Sequence, residues 1–414
     1  MQLLIKNIHQ LVTVRADGDP SRSGLSMQDV GVLERADVLI EDGLFRWIGP
    51  TGTLKSTLKE DADVLDATGI VALPGFVDSH THLLFGGTRE HEFAMRVEGK
   101  TYQQIAEAGG GILSTVKDTR AATKKELKKT ASKRLDAMMQ HGTTTVEIKS
   151  GYGLDEDSEI KMLEAIHELS EEHFMTIVPT FLGAHAIPPE YSTNPDEYVR
   201  IICERLLPYV AKRDLAKFCD AFCESGYFSI EQTRRIMLKA QSLGIRSKLH
   251  ADQLSQTGAS KLGAELKAVS VDHLEQIDDA GIDALKESGS IATVLPGVSF
   301  FLHYGYPPAR RIIESGVPLA IGSNFNPGSC MSFSMPLMMT IACTQMNITI
   351  EEAITASTLN GAAALGLSDI VGSVEVGKQA DIILYNVSDY RQIPYFFGTN
   401  LVNKVIKKGT ILEF

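Results

Sequence analysis

Cysteine is scarce in this sequence. Cys203, Cys219, Cys223, Cys330 and Cys343 are the only five in 414 residues, an odd number in apolar surroundings. That argues against a disulfide framework, and Cys219 and Cys223 in "CDAFC" read as small core residues of a strand rather than ligands. Long apolar runs are missing as well. No stretch reaches the ~18 residues of a membrane span, and "MQLLIKNIHQLVTV" lacks the apolar core of a secretory signal. A cytoplasmic protein without a membrane partner is the expectation. Basic blocks are absent too: 40 Lys and Arg face 52 Asp and Glu, a net charge of −12, which leaves nothing to track a phosphate backbone. Nucleic acid is therefore not expected as a partner.

What is present is a chain long enough for one large domain and a smaller one. The first 65 or so residues read as short strands, with "ADVLIEDGLFRWIGP" folding back at Asp42-Gly43. Near the other end, "ADIILYNVS" and "NKVIKKGTILEF" look alike, the latter turning at Lys408-Gly409, with no helix pattern between them. Residues 1–65 together with 365–414 are thus expected to form one small sheet domain. The Gly/Ser/Asp-rich stretch from Asp17 to Gln28 reads as an exposed loop.

Residues 66–364 have another rhythm. Eight short apolar runs recur: "GIVALPGFVDSH", "TTTVEIKSG", "FMTIVPTFLGAH", "LAKFCDAFCESG", "IRSKLHAD", "LKAVSVDHLE", "SIATVLPG" and "VPLAIGSN". Between them lie helical patterns such as "SEIKMLEAIHELSEEH" and "SIEQTRRIMLKAQSLG". Eight alternations of this kind favour an α/β (β/α)8 TIM barrel over a doubly wound sheet. A barrel collects polar residues at the C-terminal ends of its strands. Here those ends carry His80 and His82, then His185, His250, His273 and Asn324. His80 and His82 are two apart and point to one side of an extended segment, and neutral imidazole suits zinc or iron.

The motifs "DSHTHLLFGGTREHEF", "EAGGGILSTV", "EIKSGYGLD", "PTFLGAHAIP", "KLHADQLS" and "NFNPGS" give the chain, along its whole length, a resemblance to the metal-dependent amidohydrolase superfamily. More narrowly it resembles the branch that opens the ring of 4-imidazolone-5-propanoate to N-formimidoyl-L-glutamate in histidine degradation. The resemblance implies that the terminal segments form a small β-sandwich domain beside the barrel, and that one metal ion, zinc or iron, sits on His80, His82, His250 and residue 324. Relatives carry Asp at that last position and this chain carries Asn324. An amide oxygen can touch a metal but cannot accept the proton of an attacking water. Weakened hydrolysis in a folded, substrate-binding protein is the expectation.

For the other positions the resemblance implies that His273 polarises the carbonyl or moves the proton, and that Arg89 grips the propionate tail of a small-molecule substrate. Tyr152, Tyr102 and His185 are expected at the ring, Gln253 at the water or ring nitrogens, and Asn326, Gly328 and Ser329 in a substrate loop. Lys149 closes the second strand, whereas the carboxylated lysine of two-metal relatives lies on the fourth, so one metal is favoured. "EAGGGILS" reads as a loop over the barrel mouth, and the Met-rich "MPLMMTIACTQM" as core or subunit contact. A homodimer is expected from barrels of this type. His141, His173 and His303 have no assigned partner. The rival readings are another mononuclear amidohydrolase, such as a heterocycle deaminase, and a catalytically silent binding protein.

Overall fold

The computed structural model describes residues 1–55 and 58–413, with the side chains of residues 102, 103 and 106 outside the described set. Two sheets of eight strands organise the chain. The first draws on both ends. Its strands lie in the order Thr410–Leu412, Val402–Lys407, Ile382–Tyr385, Val71–Pro74, Gln2–Val12, Val32–Glu41 and Leu44–Pro50, and Asp63–Asp66 pairs beside Gln2–Val12. Its hairpins turn where the sequence signals them. Asp42 and Gly43 have φ of 52° and 78°, and Lys408 and Gly409 of 48° and 76°, the left-handed pairs that a two-residue hairpin of right-handed twist requires. One face buries Leu3, Ile5, Ile8, Val38, Ile40 and Phe45 against Ile382, Leu384 and Ile406.

The sheet from the termini reaches further into the sequence than expected. Val71–Pro74 pairs with Ile382–Tyr385 and with Gln2–Val12, so the run "GIVALPGFVDSH" is two strands in two sheets, parted at Gly75. A Cβ on Gly75 would meet Thr144 Oγ1 at 2.1 Å, which is why the crossing is made by glycine. Likewise Leu365 and Val371 pack under the barrel with Val77, Val178 and Phe218 rather than in the terminal sheet. A one-turn helix, Gln392–Tyr395, interrupts the terminal strands. The stretch from Asp17 to Gln28 is largely exposed, as expected, but anchored: a short helical turn, Gly24–Gln28, buries Met27, and the Arg22 guanidinium donates to the carbonyls of Arg15, Ser26 and Asp29.

The second sheet is a parallel barrel of Phe76–Asp78, Thr143–Lys149, Thr176–Ala184, Phe218–Cys223, Arg246–Ala251, Ser270–His273, Ile291–Val294 and Leu319–Ile321, paired in sequence order. The helices between them start on side-chain caps. Thr123, Asp155 and Ser229 each accept the N–H three residues on, and Leu127, Ala131, Leu135 and Met138 of Lys124–Gln140 repeat at helical spacing on its buried face. Last strand meets first just beyond the strand ends: Asn324 N donates to His80 O at 2.9 Å and His82 N to Phe325 O at 3.0 Å. This closure sets His80, His82 and Asn324 side by side. Gly322 permits it, since a Cβ there would lie 2.8 Å from His80 Cβ. All five cysteines are free, and among the described residues no helix is long and apolar enough to cross a membrane.

Candidate metal centre and active site

His80, His82 and His250 each offer a ring nitrogen within 4.8 Å of the others. Buried polar atoms ordinarily have partners. Here His80 Nε2 and Asn324 Oδ1 are buried at the same place with none, the donor set that a cation would complete. Burial, reinforced by Lys149 and the neighbouring histidines, holds His80 and His82 well below the usual imidazole pKa. Burial lowers His250 too, against the pull of Asp220. Neutral imidazole is the ligating form, so the residues present fit a divalent ion of borderline softness.

Asn324 has φ +52°, a left-handed conformation that Asn tolerates, and its Nδ2 lies 3.4 Å from Ser329 Oγ. The following loop is preformed by Asn326, whose Oδ1 accepts the N–H groups of Gly328 and Ser329 at 2.8 and 2.9 Å.

The site residues expected from sequence fall around one cavity of about 170 Å³. His82, His250 and Asn324 line its floor, with His80 beneath. His273 faces it with φ +83°, its ring centroid 5.1 Å from that of His250 and its Nδ1 3.5 Å from Glu275 Oε1. His185 stacks on His82 at 4.9 Å and donates from Nδ1 to Gly151 O at 2.9 Å, leaving Nε2 as an acceptor; burial pushes its pKa down to about 3. Tyr152, its pKa raised by burial, and Gln253 line the wall. Arg89 closes one end. Its Nε and Nη2 lie 2.8 and 2.6 Å from the buried Glu92 carboxylate, and a Cβ on Gly328 would meet Nη1 at 2.2 Å, so only glycine admits the guanidinium there. The Tyr102 side chain lies outside the described residues. His141 and His173 are engaged elsewhere, with Ala137 O and Asp136, and His303 ends a helix.

Several residues escaped the sequence. Asp220 Oδ2 lies 2.9 Å from His250 Nδ1 and Asp272 Oδ2 2.7 Å from His80 Nδ1, which turns both Nε2 atoms towards the shared point. Buried carboxylates also fix the loops. Glu159 accepts the N–H groups of Gly151, Gly153 and Leu154, holding Tyr152 in place, and Glu224 accepts those of Leu254 and Ser255 beside Gln253. The cavity wall adds Phe222 and Tyr304. For Asp220 the available signal was an acid isolated in an apolar run, "FCDAFC".

A second cluster of His80, Glu147 and Asp272 also has metal spacing. Lys149 and Lys248 already stand there, 2.8 and 3.2 Å from Glu147 and both 3.8 Å from Asp272. Burial pulls the Lys149 pKa down, but Asp220, Glu147 and Asp272 outweigh it and hold the ammonium above the usual lysine value. Asp220 and Glu147 already engage this amine at 2.7 and 2.8 Å, in keeping with a single metal.

Fold and site together define a metal-dependent hydrolase of the amidohydrolase family, whose profile matches residues 71–412. The imidazolonepropionase of Clostridium tetani is 45% identical over 411 residues, covering 99% of this chain and 98% of its own. That of Porphyromonas gingivalis is 45% identical over 414 residues, covering 100% and 97%. This chain belongs to the imidazolonepropionase branch of the amidohydrolase family. Among solved structures, an adenosine deaminase from Xanthomonas campestris with bound zinc superposes with a TM-score of 0.74 at 20% identity, over 99% of this chain and 92% of that one, a likeness of fold alone.

Proposed function

We propose that this chain hydrolyses 4-imidazolone-5-propanoate to N-formimidoyl-L-glutamate with one zinc or iron ion. The observation that carries the reading is the joint lining of one cavity by three converging histidines and, at its end, by Arg89 backed by Glu92. His80, His82 and His250 would hold the ion, with Asn324 Oδ1 as a neutral fourth donor. An ion there supplies the Lewis acidity that hydrolysis of a cyclic amide needs. Arg89 keeps its outer N–H groups for the propionate. Tyr152 and the His185 acceptor nitrogen orient the ring, and Gln253 with the Asn326–Ser329 loop flanks it. Water adds to the ring carbonyl, the bond from that carbon to the ring nitrogen breaks with nitrogen as the leaving group, and the carbon becomes a carboxylate. His273 stands where it can take the water's proton and hand it to the departing nitrogen. Asn324 cannot share this task, so turnover runs below that of an Asp form. Free cysteines suit a reducing cytoplasm, and we read the assembly as a homodimer.

The test follows the ultraviolet absorbance of 4-imidazolone-5-propanoate with metal-loaded protein and identifies the product by mass. Asn324→Asp should raise kcat by ~10²–10⁴ with metal content constant. Equal turnover by both forms would remove the role given to residue 324. Ammonia release from a purine or pyrimidine panel, with the imidazolone untouched, would favour a deaminase.

A further inference from the structure

The interior of a (β/α)8 barrel is ordinarily filled by layers of branched aliphatic side chains, each layer drawn from alternate strands. Just beneath the histidines this barrel departs from that pattern. Lys149 of the second strand, Asp220 of the fourth and Asp272 of the sixth meet there, all fully buried. Lys149 Nζ is 2.7 Å from Asp220 Oδ2 and 3.8 Å from Asp272 Oδ2. Those same two oxygens approach His250 Nδ1 and His80 Nδ1 at 2.9 and 2.7 Å. One ammonium group is thus linked, through a single oxygen on each side, to two of the three imidazoles.

Stability does not account for this layer, because a buried ionic cluster is matched or bettered by apolar side chains of similar volume. Orientation does. Each carboxylate is fixed by its second oxygen as well: Asp220 Oδ1 accepts the N–H groups of Ala221 and His250 at 2.7 and 3.1 Å, and Asp272 Oδ1 accepts Ser270 Oγ at 2.6 Å. Lys248 adds a second positive charge and is itself tied to Ser79 O at 2.8 Å, one residue before His80.

We infer that Lys149, Asp220 and Asp272 form a positioning layer for the metal, in which the lysine donates to Asp220 and pairs by charge with Asp272, and each carboxylate holds one imidazole with Nε2 towards the ion. The layer touches neither ion nor substrate. Its inference rests on the metal reading above and adds to it that ligand geometry is set from strand two, a strand that supplies no ligand. Because two ammonium groups fill the lower carboxylate cluster, one ion per chain binds above it.

The experiment uses metal-stripped full-length protein, wild type, Lys149→Met and Asp272→Asn. Each is titrated with cobalt(II), read by its visible absorption bands, and with zinc in competition with a chromophoric chelator; circular dichroism and urea melts report the fold. Both folded variants should bind zinc about 10–100-fold more weakly, with altered cobalt bands. A folded Lys149→Met with wild-type zinc affinity and cobalt bands would overturn the inference, leaving the lysine a filler of the core. Should Lys149→Met not fold, the near-isosteric Asp272→Asn decides by the same criteria. A wild-type protein that takes up neither metal would overturn both the layer and the metal reading beneath it, an outcome distinct from equal binding by all three forms.

Discussion

Lys407 and Lys149 are both buried, each 2.7 Å from an aspartate, yet they sit at opposite ends of the barrel. Lys407, from the terminal sheet, pairs with Asp381 and donates to Thr176 Oγ1, the first residue of the third barrel strand. Asp381 in turn accepts from Lys408 N and Gln379 Nε2. Every contact of that pair ends on backbone, amide or hydroxyl. Lys149 is the last residue of the second strand, and its contacts lead through carboxylates to His80 and His250. Similar ion pairs therefore do different work, decided by what lies one bond beyond. In such barrels chemistry gathers at the C-terminal face, and at the other face the Lys407 pair fixes how the terminal sheet meets the barrel.

That contrast can be broken at either end. The largest effect is expected at the mouth. His82→Ala removes one of the three histidines proposed to hold the metal, and the loss of several kcal/mol of charge stabilisation should lower kcat/KM by ~10³ or more, with metal content falling below one per chain and the apoprotein melt little changed. Retention of a tenth of the activity would show that the chemistry lies elsewhere. At the other end, Lys407→Met leaves Asp381 buried without its partner and should cost about 3–5 kcal/mol in urea unfolding, while the folded protein keeps its zinc affinity and KM. Weaker zinc binding there would mean that the two ends are coupled and that the contrast is false. Arg89→Met sharpens the picture within the mouth. Loss of a charged partner for the propionate should raise KM by ~30-fold or more with kcat changed far less, checked by steady-state kinetics.

Much of this was legible from sequence because the signals were local. Asp42-Gly43 and Lys408-Gly409 announce their hairpins, and the eight barrel strands are short apolar runs that end in Gly, Pro or a polar residue. The spacing of His80 and His82 is local as well. Asp220, although alone in an apolar strand, and Asp272, beside His273, were not legible because their meaning lies in partners far along the chain: His80 is 192 residues from Asp272, and Lys149 is 71 from Asp220. In "FCDAFC" the cysteines drew the reading to packing, which suits Cys219 and Cys223 and passes over the acid between them. Glu159 and Glu224 were hidden for another reason. Their task is to collect backbone N–H groups, and no side-chain pattern records which loop will need an acceptor. The join at Gly75 was blurred because the strands on either side are equally apolar.

A further expected effect separates the two ends by pH. In the metal-free fold, burial lowers His80, His82 and His250, and brings His185 to about 3. Unfolded, these imidazoles titrate near ~6.5. Below that value the unfolded chain binds protons that the fold refuses, so stability falls as pH falls, by about 1.4 kcal/mol per pH unit for each such histidine. Asp78 acts with the opposite sign. Burial pushes it up to about 7, so between that value and its ordinary 3.8 the fold holds a proton that the unfolded chain releases, which offsets roughly one histidine. The remainder should make the urea midpoint of the apoprotein drop steeply between about pH 6.5 and pH 5. The Lys407–Asp381 pair contains no histidine, so replacing both partners together, Lys407→Met with Asp381→Asn, should shift the whole curve without changing its slope. A midpoint flat over that range would mean that the mouth histidines are charged in the fold, and a charged cluster would hold no metal without first releasing its protons.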